Sequence, residues 1–275
     1  MKVFGYHMRR CLVMKFGGAA VANTGQFSQI ASIIRQKRAI YEHIVVVVSA
    51  MGDSTDQLVA LAHEVHPQPP KREYDMLISV GERVSIALLA MALELQGLDA
   101  VSFTGSQSGV VTSTNHGEAC IVAMRPHRVQ RALDQGKVVI VAGFQGCSSD
   151  GEITTLGRGG SDTSAVALGV ALDAEKIEFY KDVEGVYSSD PKKDSSSVLF
   201  EELTYEQALD LASAGTFVLH PRCVVLAQKN AMPLQVRSFH CLTHSGTMIC
   251  SSEQRERGQY FYEEGPLFSS SGEIL

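Results

Sequence analysis

The chain has 275 residues, of which 45% are hydrophobic and 20% charged, and its formal net charge is −6 at pH 7. That length permits one large α/β domain or two modest ones, and the acidic balance without a basic stripe argues against general nucleic-acid binding. Six scattered cysteines without C-x-x-C spacing fit neither a zinc site nor a disulfide scaffold.

Targeting and membrane signals are missing from the sequence pattern. The basic residues of the first ten positions are not followed by an apolar segment, and no apolar run is expected to reach the length that spans a bilayer. We therefore expect a cytoplasmic protein with reduced thiols, without a membrane or nucleic-acid partner and without a metal site of its own.

The first predicted element is a buried parallel strand from Cys11 to Phe16, which delivers Lys15 to its carboxyl end. Gly17 and Gly18 follow, and a helix begins near Thr24. In doubly wound sheets, ligands bind at the carboxyl ends of the strands. Lys15 is therefore a candidate ligand contact, although a strand-end lysine that reaches solvent is an equally good interpretation.

A second central strand spans His43 to Ala50 and places Ser49 at its end, and Thr55 lies near the start of the next helix. A long helical pattern then runs from Tyr74 to Gln96 and contains Glu82 among apolar residues. A buried glutamate needs a cationic partner. Glu82 is either paired with a structural arginine or meets the ammonium group of a ligand.

Helices and strands continue to alternate. Strands are predicted at Ala100 to Thr104 and at Lys137 to Gly143, the second followed by Phe144, with a polar hairpin at Gly105 to Thr114 and a helix at Pro126 to Asp134. This alternation indicates a mostly parallel sheet that is covered on both faces.

The stretch from Ile153 to Ala165 reads as a strand, a glycine-rich loop and a helix start. Its three glycines allow backbone to approach a ligand closely. Ser161 or Asp162 is predicted to cap the helix, whose first N–H groups favour an anion. Arg158 has the planar fork that holds a carboxylate or phosphate by two bonds. Taken alone, the stretch also fits a glycine-rich turn with a surface arginine.

The remaining elements complete one domain over residues 11–251, with a C-terminal tail over residues 252–275. His220 is expected to pack at a helix entry rather than to act as a base. The predicted elements are helices at Asp162 to Leu172, Tyr205 to Ser213 and Pro221 to Asn230, and strands at Lys176 to Tyr180, Pro233 to Ser238 and Thr247 to Ser251.

Several short motifs follow one another along the chain. They are K-F-G-G at Lys15, S-A-M-G-D at Ser49, G-E-R at Gly81, A-G-F-Q-G at Ala142, T-L-G-R-G-G-S-D-T at Thr155, D-V-E-G-V-Y at Asp182 and V-L-H-P at Val218. Together they closely resemble the catalytic domain of the aspartokinases, within the amino acid kinase family. Agreement in order and context as well as in letters argues against chance matching.

The resemblance implies a three-layer αβα sandwich with a mostly parallel central sheet, the amino acid kinase fold. It implies an enzyme that uses ATP with Mg2+ to phosphorylate the side-chain carboxylate of L-aspartate, giving 4-phospho-L-aspartate. A homodimer is expected as well. Aspartokinases commonly continue into paired ACT domains that bind feedback amino acids, so we expect this chain to act without that control.

The resemblance also implies roles for individual residues. Catalytic roles fall on Lys15, which contacts the transferring phosphoryl group, and on Asp162, which orders that lysine. The implied substrate-binding residues are Arg158 for a carboxylate, Glu82 for the α-ammonium group, and Ser49, Thr55, Phe144 and Ser161. The implied nucleotide-binding residues are Lys15, Gly17, Gly18, Lys181, Asp182, Tyr187 and Lys192.

The sequence departs from the resembled pattern on the nucleotide side. Ala19 and Ala20 stand where hydroxyl residues are usual, Lys181 replaces a threonine, and Phe217 replaces a lysine. If the family geometry holds, Phe217 removes a positive charge from the phosphates and Lys181 restores it from the opposite wall. The alternative is that Lys181 points to solvent and nucleotide affinity is weak.

Three functional interpretations therefore stay open. The first is an aspartokinase that is not regulated by end-product amino acids. The second is a kinase of another amino-acid carboxylate in a dedicated pathway. The third is a catalytically weak homologue that serves as a binding or partner subunit. Lys15, Glu82, Arg158 and Asp162 favour the first two, and the changed nucleotide side keeps the third open.

Overall fold

A computed structural model describes residues 10–189, 191, 193–194, 196–214, 218–251 and 260–263. The strands, numbered in chain order, are β1 (Cys11–Phe16), β2 (His43–Val48), β3 (Ala100–Phe103), β4 (Val110–Thr112), β5 (Ile121–Met124), β6 (Val138–Ala142), β7 (Gln145–Ser148), β8 (Ile153–Thr155), β9 (Lys176–Lys181), β10 (Glu202–Leu203), β11 (Leu234–Ser238) and β12 (Thr247–Ile249).

The helices of the described residues separate these strands. In chain order they are α1 (Thr24–Arg38), α2 (Ser54–Val65), α3 (Lys71–Ile78), α4 (Val80–Leu95), α5 (Gly105–Ser108), α6 (His127–Asp134), α7 (Gly160–Ala171), α8 (Tyr205–Ser213) and α9 (Pro221–Lys229), with a 3-10 turn at Gly18–Val21.

Eight strands form the central sheet, in the order β10-β12-β11-β9-β1-β2-β6-β3. Every neighbouring pair is parallel except β11 and β12. All six residues of β1 and all six of β2 are buried, because both faces of these strands are covered. Helices α6, α7 and α9 pack on one face, and α1 and α4 pack on the other. The three-layer αβα prediction is confirmed.

A second sheet of four short strands was not predicted. Its order is β5-β4-β7-β8. The predicted hairpin at Gly105 to Thr114 is wrong: α5 occupies its first half, capped by Thr104, whose hydroxyl accepts from the Gln107 N–H. Strand β4 then pairs with β5 and β7. Strands of three or four residues carry too little periodic signal to be recognised.

The predicted helix from Tyr74 to Gln96 is two helices, α3 and α4, separated by Ser79. The buried Gln145 side chain donates to the Ser79 carbonyl at 2.7 Å, so this carbonyl takes a partner from outside the helix. By length and composition alone, the segment Lys71–Leu95 would be able to cross a membrane, contrary to our expectation. Core helices meet the same test, and α4 buries Leu89 and Leu93 against the sheet.

Residues 260–263, in the region predicted as a tail, contact the domain. The Glu263 carboxylate is buried and forms an ion pair with Arg222, including an Nη2 to Oε2 distance of 2.8 Å. It also accepts from the Ile121 N–H at 2.7 Å. Phe261 exchanges two hydrogen bonds with the Asn230 amide, at 2.8 and 2.9 Å. This segment therefore belongs to the packed structure.

We predict that Glu263→Ala lowers the free energy of unfolding by about 3–5 kcal/mol, because it leaves the buried Arg222 guanidinium without its carboxylate. Urea unfolding measures this loss. The control is Glu175→Ala, which removes one partner of the exposed Arg10–Glu175 pair and is expected to cost clearly less. If the free energy of unfolding falls no more in Glu263→Ala than in the control, the Glu263 pair is not important for stability.

Candidate active site

A cleft of about 300 Å³ opens where β1, β2 and β6 end. This is the edge at which parallel α/β sheets bind ligands. Its walls come from five loops and helix starts, and they include six residues that the sequence predicted for the site. The lining residues are Gly18, Ser49, Ala50, Gly52, Thr55, Glu82, Phe144, Gly157, Gly159, Gly160 and Ser161.

Glu82 supplies a buried carboxyl group to the cleft. It lies in the first turn of α4, and its Oε1 accepts from the Ala50 N–H at 3.2 Å. A Cβ on the preceding Gly81 would lie 2.7 Å from the Ala50 Cβ, so glycine permits this close packing. Oε2 has no hydrogen-bond partner among the described residues. Burial raises the pKa of Glu82 to about 7. Among the described residues, Glu82 therefore does not form the ion pair with a structural arginine that was one of its two interpretations.

The glycine-rich loop differs from its prediction in one respect. Neither Ser161 nor Asp162 caps α7; Gly159 is the N-cap, with φ +72°, and both residues lie inside the first turn. A Cβ on Gly159 would lie 2.3 Å from the Cγ of His220. His220 itself caps α9 by accepting from the Arg222 N–H, which agrees with the expected packing role. Glycine is therefore required at position 159.

Ser161 and Phe144 meet on the cleft wall. The hydroxyls of Ser161 and Ser49 lie 2.9 Å apart, which joins the α7 start to the end of β2. Phe144 has φ +69°, a conformation that bulky residues seldom adopt. Its N–H donates to the Ser164 hydroxyl at 3.1 Å, and its carbonyl accepts from Leu156 at 2.9 Å.

Arg158 lies in the loop between Gly157 and Gly159, which both line the cleft, but Arg158 itself is not one of the lining residues. It is exposed, and the described residues form no hydrogen bond or ion pair with its side chain. The guanidinium is therefore available to an anionic ligand. Thr55 lies across the cleft in the first turn of α2. The structure thus brings Glu82, Ser49, Thr55, Phe144 and Ser161 to one cleft, and it places Arg158 in the loop between two of the lining glycines.

Lys15 and Asp162 form the most buried ion pair of the site. The Lys15 ammonium lies 2.5 Å from Oδ1 of Asp162, with side-chain exposures of 4% and 8%. Burial would raise the pKa of Asp162, but Lys15 and Lys181 outweigh it and lower that pKa to about 2. Burial lowers the pKa of Lys15, and Asp162 opposes this. The solvent interpretation of Lys15 is wrong.

Lys181 reaches the same aspartate. Its ammonium lies 3.1 Å from Oδ2 of Asp162, so it does not simply point to solvent. Gly17 and Gly18 lie beside Lys15, and a Cβ on Gly17 would be 3.6 Å from the Lys15 Nζ.

The other predicted nucleotide residues follow β9. Asp182 is exposed, and the hydroxyl of Tyr187 donates to Glu184 at 3.2 Å. Lys192 and Phe217 lie outside the described residues. No cluster of three His, Cys, Asp or Glu side chains suitable for a metal ion occurs in the described part of the chain.

Two residues that the sequence did not suggest hold the glycine-rich loop. Asp75 is fully buried and accepts from the Thr155 hydroxyl at 2.6 Å and from the Gly117 N–H at 3.0 Å. Arg222 donates to the carbonyl of Leu156, directly before the loop, and to that of Ala119 at 2.6 Å. Asp75 and Arg222 each lie within a helical segment of the sequence, and nothing in that pattern indicated contacts with the loop.

A sequence model of the amino acid kinase family matches residues 10–238. The chain belongs to the amino acid kinase family. It is 49% identical over 257 residues to an aspartokinase of Geobacillus stearothermophilus, which covers 94% of this chain and 62% of that protein. It is also 47% identical over 246 residues to aspartokinase 2 of Bacillus subtilis, which covers 90% of this chain and 60% of that protein.

Solved structures agree with the fold. The aspartate kinase from Synechocystis superposes with a TM-score of 0.80 at 43% identity, over 91% of this chain and 41% of that one. Aspartokinase III of E. coli, solved with aspartate and ADP, gives 0.78 at 25% identity, over 89% of this chain and 65% of that one. The amino acid kinase fold is therefore confirmed. The chain spans about 60% of the length of the curated aspartokinases that it matches.

Proposed function

We propose that this protein transfers the γ-phosphoryl group of ATP to the side-chain carboxylate of L-aspartate, giving 4-phospho-L-aspartate. The observation that carries the proposal is the buried Glu82 carboxylate, which lines the cleft with one oxygen unpartnered among the described residues. An isolated buried charge is costly, and an ammonium group of a ligand would satisfy it.

Two charged side chains would hold the two charged groups of an amino acid. Glu82 would receive the α-ammonium group, and the Arg158 guanidinium, from the loop between two lining glycines, would hold a carboxylate by two parallel bonds. Ser161, Ser49 and Thr55 would add polar contacts, and the backbone near Phe144 would close the wall. The related E. coli enzyme was solved with aspartate and ADP, which supports the choice of ligands.

The reaction needs alignment and charge neutralisation. The aspartate side chain is ionised at pH 7, so no general base is required. Its oxygen bonds to the γ-phosphorus while the bond from phosphorus to the β–γ bridging oxygen breaks, and that electron pair leaves with ADP. Lys15, ordered by Asp162, would stabilise the charge on the phosphoryl group.

The nucleotide would bind beside Lys15. The backbone of Gly17 and Gly18 would approach the phosphates, and Asp182, Tyr187 and Lys192 would contact the rest of the nucleotide. Mg2+ would enter with ATP, because it binds chiefly through phosphates and few protein carboxylates. When bound, the ion neutralises phosphate charge.

Acyl phosphate formation tests the proposal directly. With ATP, Mg2+ and aspartate, the purified protein should yield aspartyl hydroxamate when hydroxylamine is added. Arg158→Ala should lower kcat/KM for aspartate roughly 10- to 150-fold, the equivalent of one charge-assisted hydrogen bond, and Arg158→Lys should fall between. The matched control is Arg131→Ala, at an exposed arginine of α6.

Other outcomes of this assay separate the alternatives. Hydroxamate from a different amino acid, and none from aspartate, would assign the kinase to that acceptor. No hydroxamate from any amino-acid carboxylate, with folded protein, would leave only a binding or partner-subunit role.

Glu82 predicts the pH dependence of substrate capture. Its pKa is raised to about 7, so the carboxyl group is increasingly neutral below that pH and loses its attraction for an ammonium group. We expect kcat/KM for aspartate to fall about tenfold per pH unit below pH 7. Glu82→Gln should abolish this fall at low pH and lower kcat/KM at high pH. Thr55→Ala, at another lining residue, should keep the fall. An unchanged fall of kcat/KM in Glu82→Gln would assign the titration to another group.

A homodimer in the cytoplasm is part of the proposal. The six cysteines form no disulfide, which suits a reducing compartment. Helix α4 exposes an apolar stripe made of Val80, Val84, Met91 and Leu95, at spacings of one face of a helix. An exposed apolar stripe of this kind is typical of a contact between subunits.

Disruption of the stripe tests the dimer. Val84→Glu with Met91→Glu should convert a species of twice the chain mass into the monomer, measured by light scattering after gel filtration. Val122→Glu, at another exposed valine, is the control. A wild-type protein that has the mass of one chain in this measurement would refute the dimer.

A further inference from the structure

Asp162 binds two ammonium groups at once. Lys15 lies 2.5 Å from Oδ1 and Lys181 lies 3.1 Å from Oδ2, so each oxygen of the carboxylate has its own lysine. Lys15 is almost completely buried, whereas the Lys181 side chain is 18% exposed. Lys181 is therefore the outer of the two cations.

The sheet fixes the two lysines on neighbouring strands. In the parallel register of β1 and β9, Lys15 lies opposite Phe179 and Phe16 lies opposite Tyr180. Lys181 therefore stands two residues closer to the carboxyl edge than Lys15. Its main chain is also held there, because its carbonyl accepts from the Phe239 N–H at 3.0 Å. The two ammonium groups thus approach Asp162 from different depths.

This arrangement leaves a surplus of positive charge. Two ammonium groups share one carboxylate, and in the described part of the chain no second carboxylate pairs with either of them. Lys181 also opposes the protonation of Lys15, as one of the groups that lower the pKa of that lysine. Two ammonium groups that share one carboxylate carry a net charge of +1, which further negative charge would neutralise. A transferring phosphoryl group carries such charge on its equatorial oxygens.

We propose that Lys181 is a second catalytic cation at the phosphoryl-transfer centre, held by Asp162 together with Lys15, and is more than a contact that binds the nucleotide. This inference rests on the proposed kinase function. Both lysines remain protonated while the acceptor oxygen bonds to phosphorus and the electron pair of the broken bond leaves with ADP. Each stabilises negative charge on the group in transit.

The sequence supports a chain-specific role. The pattern that the sequence resembles implies a threonine at position 181 and a lysine at position 217, where this chain has Lys181 and Phe217. By sequence alone, one cation is lost and another is gained relative to that pattern. The structure adds that the gained cation reaches the same carboxylate that orders Lys15. A solvent-directed lysine would not show this contact.

The principal variant is Lys181→Thr, which installs the residue that the resembled sequences have and is therefore compatible with the fold. We expect kcat to fall about 100- to 1000-fold, as for the loss of one preorganised donor to a developing charge. KM for ATP and for aspartate should change less than threefold. Lys181→Arg should retain part of the activity. The matched control is Lys176→Thr on the same strand. The Lys176 side chain is 19% exposed and pairs with Glu178 instead of Asp162. The kcat of this control variant should be unchanged.

A binding measurement separates a catalytic role from a structural one. By calorimetry with Mg2+ and aspartate, Lys181→Thr should bind ADP within threefold of the unchanged protein but should lose affinity for ADP with aluminium fluoride, which mimics the transferring phosphoryl group. A raised KM for ATP with unchanged kcat would overturn the proposal in favour of a nucleotide contact. Equal losses of both ligands with a lowered melting temperature would overturn it in favour of a structural role.

The same measurements distinguish this inference from the proposed function. If the unchanged protein forms no acyl phosphate from aspartate, the proposed acceptor is wrong. Selective loss of the fluoride complex in Lys181→Thr, measured without aspartate, would still support the second cation. Retention of that complex would overturn it, whatever the acceptor.

Discussion

The charged part of the site depends on one buried carboxylate. Asp162 lies in the first turn of α7 and faces the ends of β1 and β9, where Lys15 and Lys181 emerge. Without it, two ammonium groups would face each other in a poorly hydrated place, and their repulsion would oppose both the sheet pairing and the seating of α7. The position of this helix is therefore coupled to the two ion pairs that Asp162 forms with Lys15 and Lys181.

Close backbone packing places that carboxylate. A Cβ on Gly143 would lie 2.7 Å from the Ser161 Cβ, and a Cβ on Gly160 would lie 2.7 Å from that of Leu156. Larger residues at either position would push the start of α7 away from the sheet. The distance from Asp162 to Lys15 is 2.5 Å, so even a small shift would weaken the pair. These glycines thus keep Asp162 close to Lys15, in addition to shaping a loop for a ligand.

The sequence predicted the parts of this structure that follow from long periodic patterns and from strand ends. Apolar runs identified β1 and β2, and the position of Lys15 near the end of the first run placed it at the ligand edge. The cap of α7 was predicted wrongly, because Ser161 has the side chain of a cap but Gly159 has the required backbone freedom. Asp75 and Arg222 were missed because their partners are 41 or more residues distant along the chain, or belong to short strands without a pattern.

The two halves of the site differ in how their charges are satisfied before a ligand binds. In the half proposed for phosphoryl transfer, Lys15 already has its carboxylate, so little reorganisation would be needed when negative charge develops. In the amino-acid half, Oε2 of Glu82 has no partner among the described residues, and its raised pKa records the cost of ionising it there. In the proposed function, a ligand that brings an ammonium group would offset this cost, whereas a dicarboxylic acid without an amino group would not. The proposed selection for an amino acid therefore rests on the burial of Glu82, because the same carboxylate in water would gain little from the ammonium group.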